Sequence, residues 1–254
     1  MEFMPNFTAN KRINKITDNI FIIPEGGMLD SNMYIIKNGS NFMLIDTGNG
    51  MTFNKSINAM KKLEDFSINN IKKIIQTHSH VDHILGLYKF LKKISPKPEV
   101  IASEIEAEYI EKADKKIILP IGENMVRAMV SSVSKILSGV GIHPVDVDVK
   151  LNDGDHVKFG DLDLTTLLTP GHTPGGICLY EEDAKILFSG DTVFSKGSFG
   201  RVDFPGGSGS QLVSSLKRLS EIDVEILLPG HMNPVLKDGS KHINLAYRVA
   251  SDYL

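Results

Sequence analysis

Along the first hundred residues, apolar positions come in short bursts with polar punctuation between them. "NIFIIP" (19–24), "MYIIK" (33–37), "FMLID" (42–46), "KKIIQT" (72–77) and "PEVIAS" (98–103) are β-rich and bounded by Gly, Asn, Ser or Pro, the pattern of strands. "TFNKSINAMKKLEDF" (52–66) instead sets Phe53, Ile57, Met60 and Leu63 at helical spacing, and "ILGLYKFLKKI" (84–94) predicts a second helix. The second half repeats the theme. Strands are expected at "DLDLTTLLT" (161–169), "GICLY" (176–180), "KILFSGD" (185–191) and "VEILLPGH" (224–231), and helices at "SQLVSSLKRLSEI" (210–222) and "SKHINLAYRVASDYL" (240–254). Two strand-rich halves, each closing in helix and strand, predict an α/β sandwich rather than a doubly wound sheet. From Glu104 to about Val147 the pattern breaks into a helix-prone stretch rich in Met, Val and Ile, interrupted by Pro120, Gly139 and Pro144. We read it as a helical insertion within a single domain spanning 1–254. Its apolar residues, including Met125, Met129, Val130 and Val133, exceed one core-facing stripe and are expected to wall a substrate pocket.

Composition narrows the function classes. The chain has 254 residues, 41% hydrophobic and 23% charged, with a net charge of −3. That balance lacks the basic footprint of a nucleic-acid or anionic-membrane binder. No apolar run approaches the roughly 20 residues that span a bilayer, and the N-terminus has no basic start followed by an apolar stretch. A cytoplasmic protein with a small-molecule substrate is expected, and a homodimer is compatible with the composition. The single cysteine, Cys178, excludes a disulfide framework and lies in an apolar, strand-like setting that suits an inert buried thiol.

The chemistry is concentrated in "THSHVDH" (77–83), directly after a strand. His78 and His80, two apart on extended backbone, can face one point. Asp82 and His83 fall on the first turn of the next helix and can address a second point nearby. Imidazole nitrogen and carboxylate oxygen suit Zn, Fe and Mn. His172 in "LLTPGHTPGG", Asp191 in "ILFSGDT" and His231 in "ILLPGH" each follow an apolar strand beside Gly or Pro, where a tight turn can aim one side chain. Five of the eight histidines share this grammar; His143, His156 and His242 do not, and are read as surface or packing residues.

Asp46 in "LIDTG", the "THSHVDH" run, His172, Asp191 and His231 together resemble the metallo-β-lactamase fold superfamily, and within it glyoxalase II and its short relatives. The resemblance implies a four-layer αβ/βα sandwich and two divalent metal ions, Zn first, with Fe or Mn compatible. It implies one ion on His78, His80 and His172 and a second on Asp82, His83 and His231. Asp191 would bridge them, and Asp46 would support the ligands from behind. Asp82 and Asp191 supply the negative charge that closely spaced cations require, and are the candidate catalytic carboxylates.

The implied reaction is hydrolysis of a small thioester, or a related ester or lactone, with no Ser or Cys nucleophile. In glyoxalase II, the loop after the bridging aspartate carries a basic residue and a tyrosine that hold glutathione. Here "TVFSKGSFGRVDFPGGS" offers Lys196 and Arg201 as substrate-binding cations, but Val202 and Asp203 stand where an aromatic–acidic pair is usual. The short stretch after His231 is expected to lack the helical domain that completes a glutathione pocket, which shifts recognition to the insertion. Two alternatives share the ligand grammar. One is a persulfide dioxygenase with a single iron on His78, His172 and Asp191; the other is a lactonase of the N-acyl homoserine lactonase type.

Overall fold

The computed structural model describes residues 13–27, 29–119 and 141–254. Seven strands form one sheet in chain order: β1 (Asn14–Lys15), β2 (Ile20–Ile23), β3 (Met33–Asn38), β4 (Asn41–Ile45), β5 (Ile71–Ile75), β6 (Glu99–Ser103) and β7 (Val149–Leu151). The first four are antiparallel neighbours, and β4 to β7 run parallel. The second sheet has five strands: β8 (His156–Phe159), β9 (Leu162–Leu168), β10 (Ile177–Glu181), β11 (Ile186–Gly190) and β12 (Ile226–Pro229). Its pairs are antiparallel except β11 with β12.

Strands buried on both faces explain the unbroken apolar runs, because successive side chains enter different layers. In β3, Tyr34 and Ile36 join a core between the sheets while Met33 and Ile35 join a core on the outer face. β4 divides in the same way, with Met43 and Ile45 inward and Phe42 and Leu44 outward. In the second sheet, Ile177, Leu179, Ile186 and Phe188 meet the central core, while Cys178 and Leu187 face the opposite side.

Helices cover both outer faces. α1 (Phe53–Met60), α2 (Val81–Leu91), α3 (Glu104–Lys112) and α4 (Lys115–Ile118) pack on the first sheet, and α5 (Gly209–Ser220) and α6 (Gly239–Tyr253) on the second. The layers are therefore helix, sheet, sheet, helix, the sandwich that the resemblance implied. The ends of the expected insertion are built into the core, since Ala107, Ile110, Ile118, Val145 and Val147 are buried with β6 and α2. Met125, Met129, Val130 and Val133 lie outside the described residues. No helix among those described is long and apolar enough to cross a membrane.

Candidate metal centre

Every singled-out His or Asp of the metal grammar follows the C-terminal end of a strand. Asp46 follows β4; His78 and His80 follow β5, with Asp82 and His83 on the first turn of α2; His172 follows β9, Asp191 β11 and His231 β12. Here those ends converge, because donors from both sheets fall into shared groups. Ile177 N–H donates to Thr77 O at 3.0 Å and Asn32 N–H to Gly230 O at 2.8 Å, which ties loops of the two sheets together, while Gly230 N–H donates to Gly190 O at 2.7 Å within the second sheet.

Three donor groups result: His78, His80 and His172; Asp82, His83 and His231; and His78, His83 and Asp191, which joins the other two. Within each, the candidate ligand atoms lie within 4.8 Å of one another. Asp191 is central. Its Oδ1 is 3.3 Å from His83 Nε2, and its Oδ2 is 3.4 Å from His172 Nε2 and 3.3 Å from His231 Nε2. Asp82 Oδ2 lies 3.2 Å from His231 Nε2.

The far side of each ring determines which nitrogen faces inward. His83 Nδ1 donates to Asp46 Oδ2 at 2.8 Å, His172 Nδ1 to the Arg201 carbonyl at 2.7 Å, and His231 Nδ1 to Glu25 Oε2 at 2.9 Å. Thr77 Oγ1 donates to Asp46 Oδ2, so its lone pair is left to accept from His78 Nδ1 at 3.1 Å. With Nδ1 holding the proton in each case, four neutral rings would aim Nε2 lone pairs into the site. His80 is turned the other way, with Nδ1 at 2.8 Å from His172 Nε2.

Buried polar atoms without partners are costly. His78 Nε2 is buried and unpartnered, and Asp191 Oδ1, although near His83, lacks hydrogen-bond geometry; His80 Nε2, on the ring edge away from His172, is buried without a partner as well. Lone pairs crowded together with two carboxylates fit a divalent cation and fit poorly without one.

Electrostatics divides the site. Burial, together with the charge on His83, pushes His78 well below 6.5, and burial with His172 brings His80 to about 3. Burial also acts to lower His83, but Asp191, Asp46 and Asp82 outweigh it and raise this ring to about 10. His231 is likewise raised: burial opposes the shift, while Asp191, Asp82 and Glu25 prevail. Burial acts to raise Asp82 and Asp191, yet His83 and His231 hold both below the ordinary carboxylate range. The His78–His80 corner is therefore neutral and ready to donate, and the Asp82–His83–His231 corner holds protons that a cation must displace.

A cavity of about 300 Å³ opens onto the centre, with Leu29, Val81, Phe194, Phe199 and Phe204 among its walls and His80, Asp82, His172, Asp191 and His231 on its floor. Of the two cations singled out from the sequence, Arg201 lines this cavity. Its guanidinium sits 4.4 Å from the centre of the Phe204 ring and pairs with Asp203. Lys196 is not among the lining residues; it lies on an exposed turn and donates its backbone N–H to His242 Nδ1 at 2.7 Å. Cys178 is buried, and its thiol is pushed up to about 11, chiefly by burial. His143, His156 and His242 belong to none of the donor groups.

Sequence reasoning missed Glu25 and Thr77. Thr77 adjoins the motif and could have been noticed as a hydroxyl able to relay between Asp46 and His78. Glu25 carries no local signal, since its partner is 206 residues away.

The profile of the Metallo-beta-lactamase superfamily matches residues 26–231. The acyl-coenzyme A thioesterase MBLAC2 of Bos taurus is 30% identical over 237 residues, covering 88% of this chain and 78% of that protein. An uncharacterized protein of Aquifex aeolicus is 34% identical over 184 residues, 72% of this chain and 77% of its own length. Among solved structures, a metallo-beta-lactamase family protein of Thermus thermophilus superposes with a TM-score of 0.73 at 20% identity, covering 94% of this chain and 80% of that one. BJP-1, a subclass B3 metallo-beta-lactamase of Bradyrhizobium japonicum, gives 0.70 at 22% identity, covering 98% and 94%. Ligand grammar, layered fold and these likenesses agree, and the chain belongs to the metallo-beta-lactamase superfamily as one of its hydrolases.

Proposed function

We propose that this chain is a metal-dependent hydrolase of acyl thioesters. The observation that carries the reading is the junction of two donor sets with an apolar cavity bearing one cation at its rim. MBLAC2, an acyl-coenzyme A thioesterase by name, supports the thioester class. His78, His80 and His172 would hold one divalent ion, Asp82, His83 and His231 a second, and Asp191 would serve both; zinc suits this N/O donor set, and iron or manganese can use it. Bound ions of this kind activate water as a nucleophile and polarise a carbonyl.

The chain's own residues supply the rest. Phe194, Phe199, Phe204, Leu29 and Val81 seat an apolar acyl portion and exclude water from the thioester carbon. Asp82 and Asp191, both held ionised, accept hydrogen bonds from the attacking water and orient it. Arg201 can exchange Asp203 for an anionic group of the substrate, its planar fork already positioned on Phe204. Cys178 is too deep and too weakly acidic to act as a nucleophile.

The test is thiol release by zinc-loaded protein from an acyl-coenzyme A and a hydroxyacylglutathione, beside a lactone and a persulfide. Turnover of either thioester above the lactone supports the reading. Lactone hydrolysis alone, or persulfide-dependent oxygen uptake by iron-loaded protein with no thiol release, overturns it.

A further inference from the structure

Glu106 is fully buried on the first turn of α3, outside the donor groups and away from the cavity. Its Oε2 accepts the Ser79 backbone N–H at 2.9 Å, and its Oε1 accepts the Gly175 N–H at 3.0 Å. Ser79 lies between His78 and His80, and Gly175 lies just after His172. One carboxyl group thus fastens both loops that carry the His78–His80–His172 set.

The packing around it leaves little slack. A Cβ at Gly175 would fall 2.6 Å from Ile105 Cβ and 2.9 Å from Glu106 N, so the loop rests directly on the start of α3. Ser103 completes the clamp, accepting from Glu106 N–H at 3.1 Å and donating to the Gly175 carbonyl at 2.6 Å. Burying an acidic side chain costs free energy that an apolar residue of similar volume would not incur. The second donor set is backed by other groups, Asp46 behind His83 and Glu25 behind His231.

We propose that Glu106 is a positioning residue for the first metal set, fixing the spacing between the His78–His80 loop and the His172 loop. This rests on the reading that these three histidines bind metal. Two carboxyl groups far apart in sequence, Glu106 and Glu25, then govern the two sets separately.

Cobalt(II) alone is a suitable probe, followed by its visible absorption during titration and by anomalous scattering at one equivalent. In Glu106→Gln, one backbone N–H faces an amide NH2 instead of an oxygen; in Glu106→Ala, both N–H groups lose their acceptor. Either variant should bind cobalt about 10–100-fold more weakly at the first set, the range known for groups that orient metal ligands. Affinity at the second set should stay within about threefold, so that the first equivalent of cobalt occupies Asp82, His83 and His231. Glu25→Ala should show the opposite preference. Should Glu106→Ala not fold, Glu106→Gln carries the comparison. Equal weakening of both sets, or no change in either, overturns the positioning role. Absence of cobalt from His78, His80 and His172 in the wild-type protein overturns the underlying metal-site reading instead.

Discussion

Asp46 adopts φ 58°, a left-handed backbone conformation that non-glycine residues enter at a cost and keep only where surrounding contacts hold them. Here those contacts are hydrogen bonds at the candidate metal centre: its two oxygens take the Thr77 N–H, the Thr77 hydroxyl and the His83 Nδ1 proton. Asp46→Ala should leave His83 free to change tautomer and weaken zinc retention about 10–100-fold. Chelator competition measures this directly, and a wild-type dissociation constant would sink the role. Asp191 touches three rings at once, so Asp191→Ala should cut turnover at least about a hundredfold and loosen the metals. Activity within about tenfold of wild type at full metal loading would remove Asp191 from the centre of the chemistry. His83 gives a pH signature. Its pKa is raised from 6.5 to about 10 in the metal-free protein, so the stability it contributes is complete below 6.5 and fades as pH rises through about 10. A cation displaces that proton, so loading the second set grows easier over the same window. The melting-temperature gain on zinc addition should therefore increase between pH 6.5 and 10; a flat profile contradicts the proton displacement.

At the scale of elements, α2 acts as a carrier for two of the three residues of one donor set. Its first turn presents Asp82 and His83, and it is seated by Thr47, whose N–H and hydroxyl both donate to the His83 carbonyl at 3.0 and 2.8 Å. Gly86 makes that seat possible, since a Cβ there would lie 2.0 Å from the Thr47 carbonyl oxygen. Gly86→Ala must push α2 away from the Asp46–Thr47 turn and shift both ligands. A loss of about 1–3 kcal/mol of stability is expected, the usual range for overpacking, together with reduced metal content in the second set. Thermal melting and metal analysis test it together, and a variant with two metals and an unchanged melting temperature would show that α2 is not held so closely. Most helices and strands predicted from periodicity recur within a few residues, because their apolar spacing is a local property; the helix expected over 52–66 ends at Met60, and the chain through Leu63 turns instead. β1, β7 and β8 escaped notice: each is two to four residues long with at most two buried positions, and only pairing with β2, β6 and β9 makes them strands.

At the scale of the molecule, the candidate centre joins two sheets that also meet through side-chain packing and a few hydrogen bonds such as Ile177 N–H to Thr77 O. Asp46 and the 78–83 cluster belong to the seven-stranded sheet; His172, Asp191 and His231 belong to the five-stranded one. Ions held between them would act as a clasp that only the folded chain can form. Free zinc at about 100 times its dissociation constant should add about 2.7 kcal/mol of stability per site. Removing it with chelator should lower the melting temperature reversibly, with the shift tracking free zinc. A melting temperature indifferent to zinc would mean that the two sheets are held together without it.

The amino-acid sequence by itself determined most of the strands, the major helices and the identity of the inward-facing histidines and aspartates. These follow from periodicity, turn residues and a dense local motif, all legible over a few neighbouring positions. Only the tertiary structure decided which nitrogen of each ring points inward, that Arg201 lines the cavity while Lys196 stands outside it, and that Glu25 and Glu106 stand behind the ligands. Those outcomes depend on hydrogen bonds between residues as far as 206 positions apart, and no local pattern records a partner at that distance.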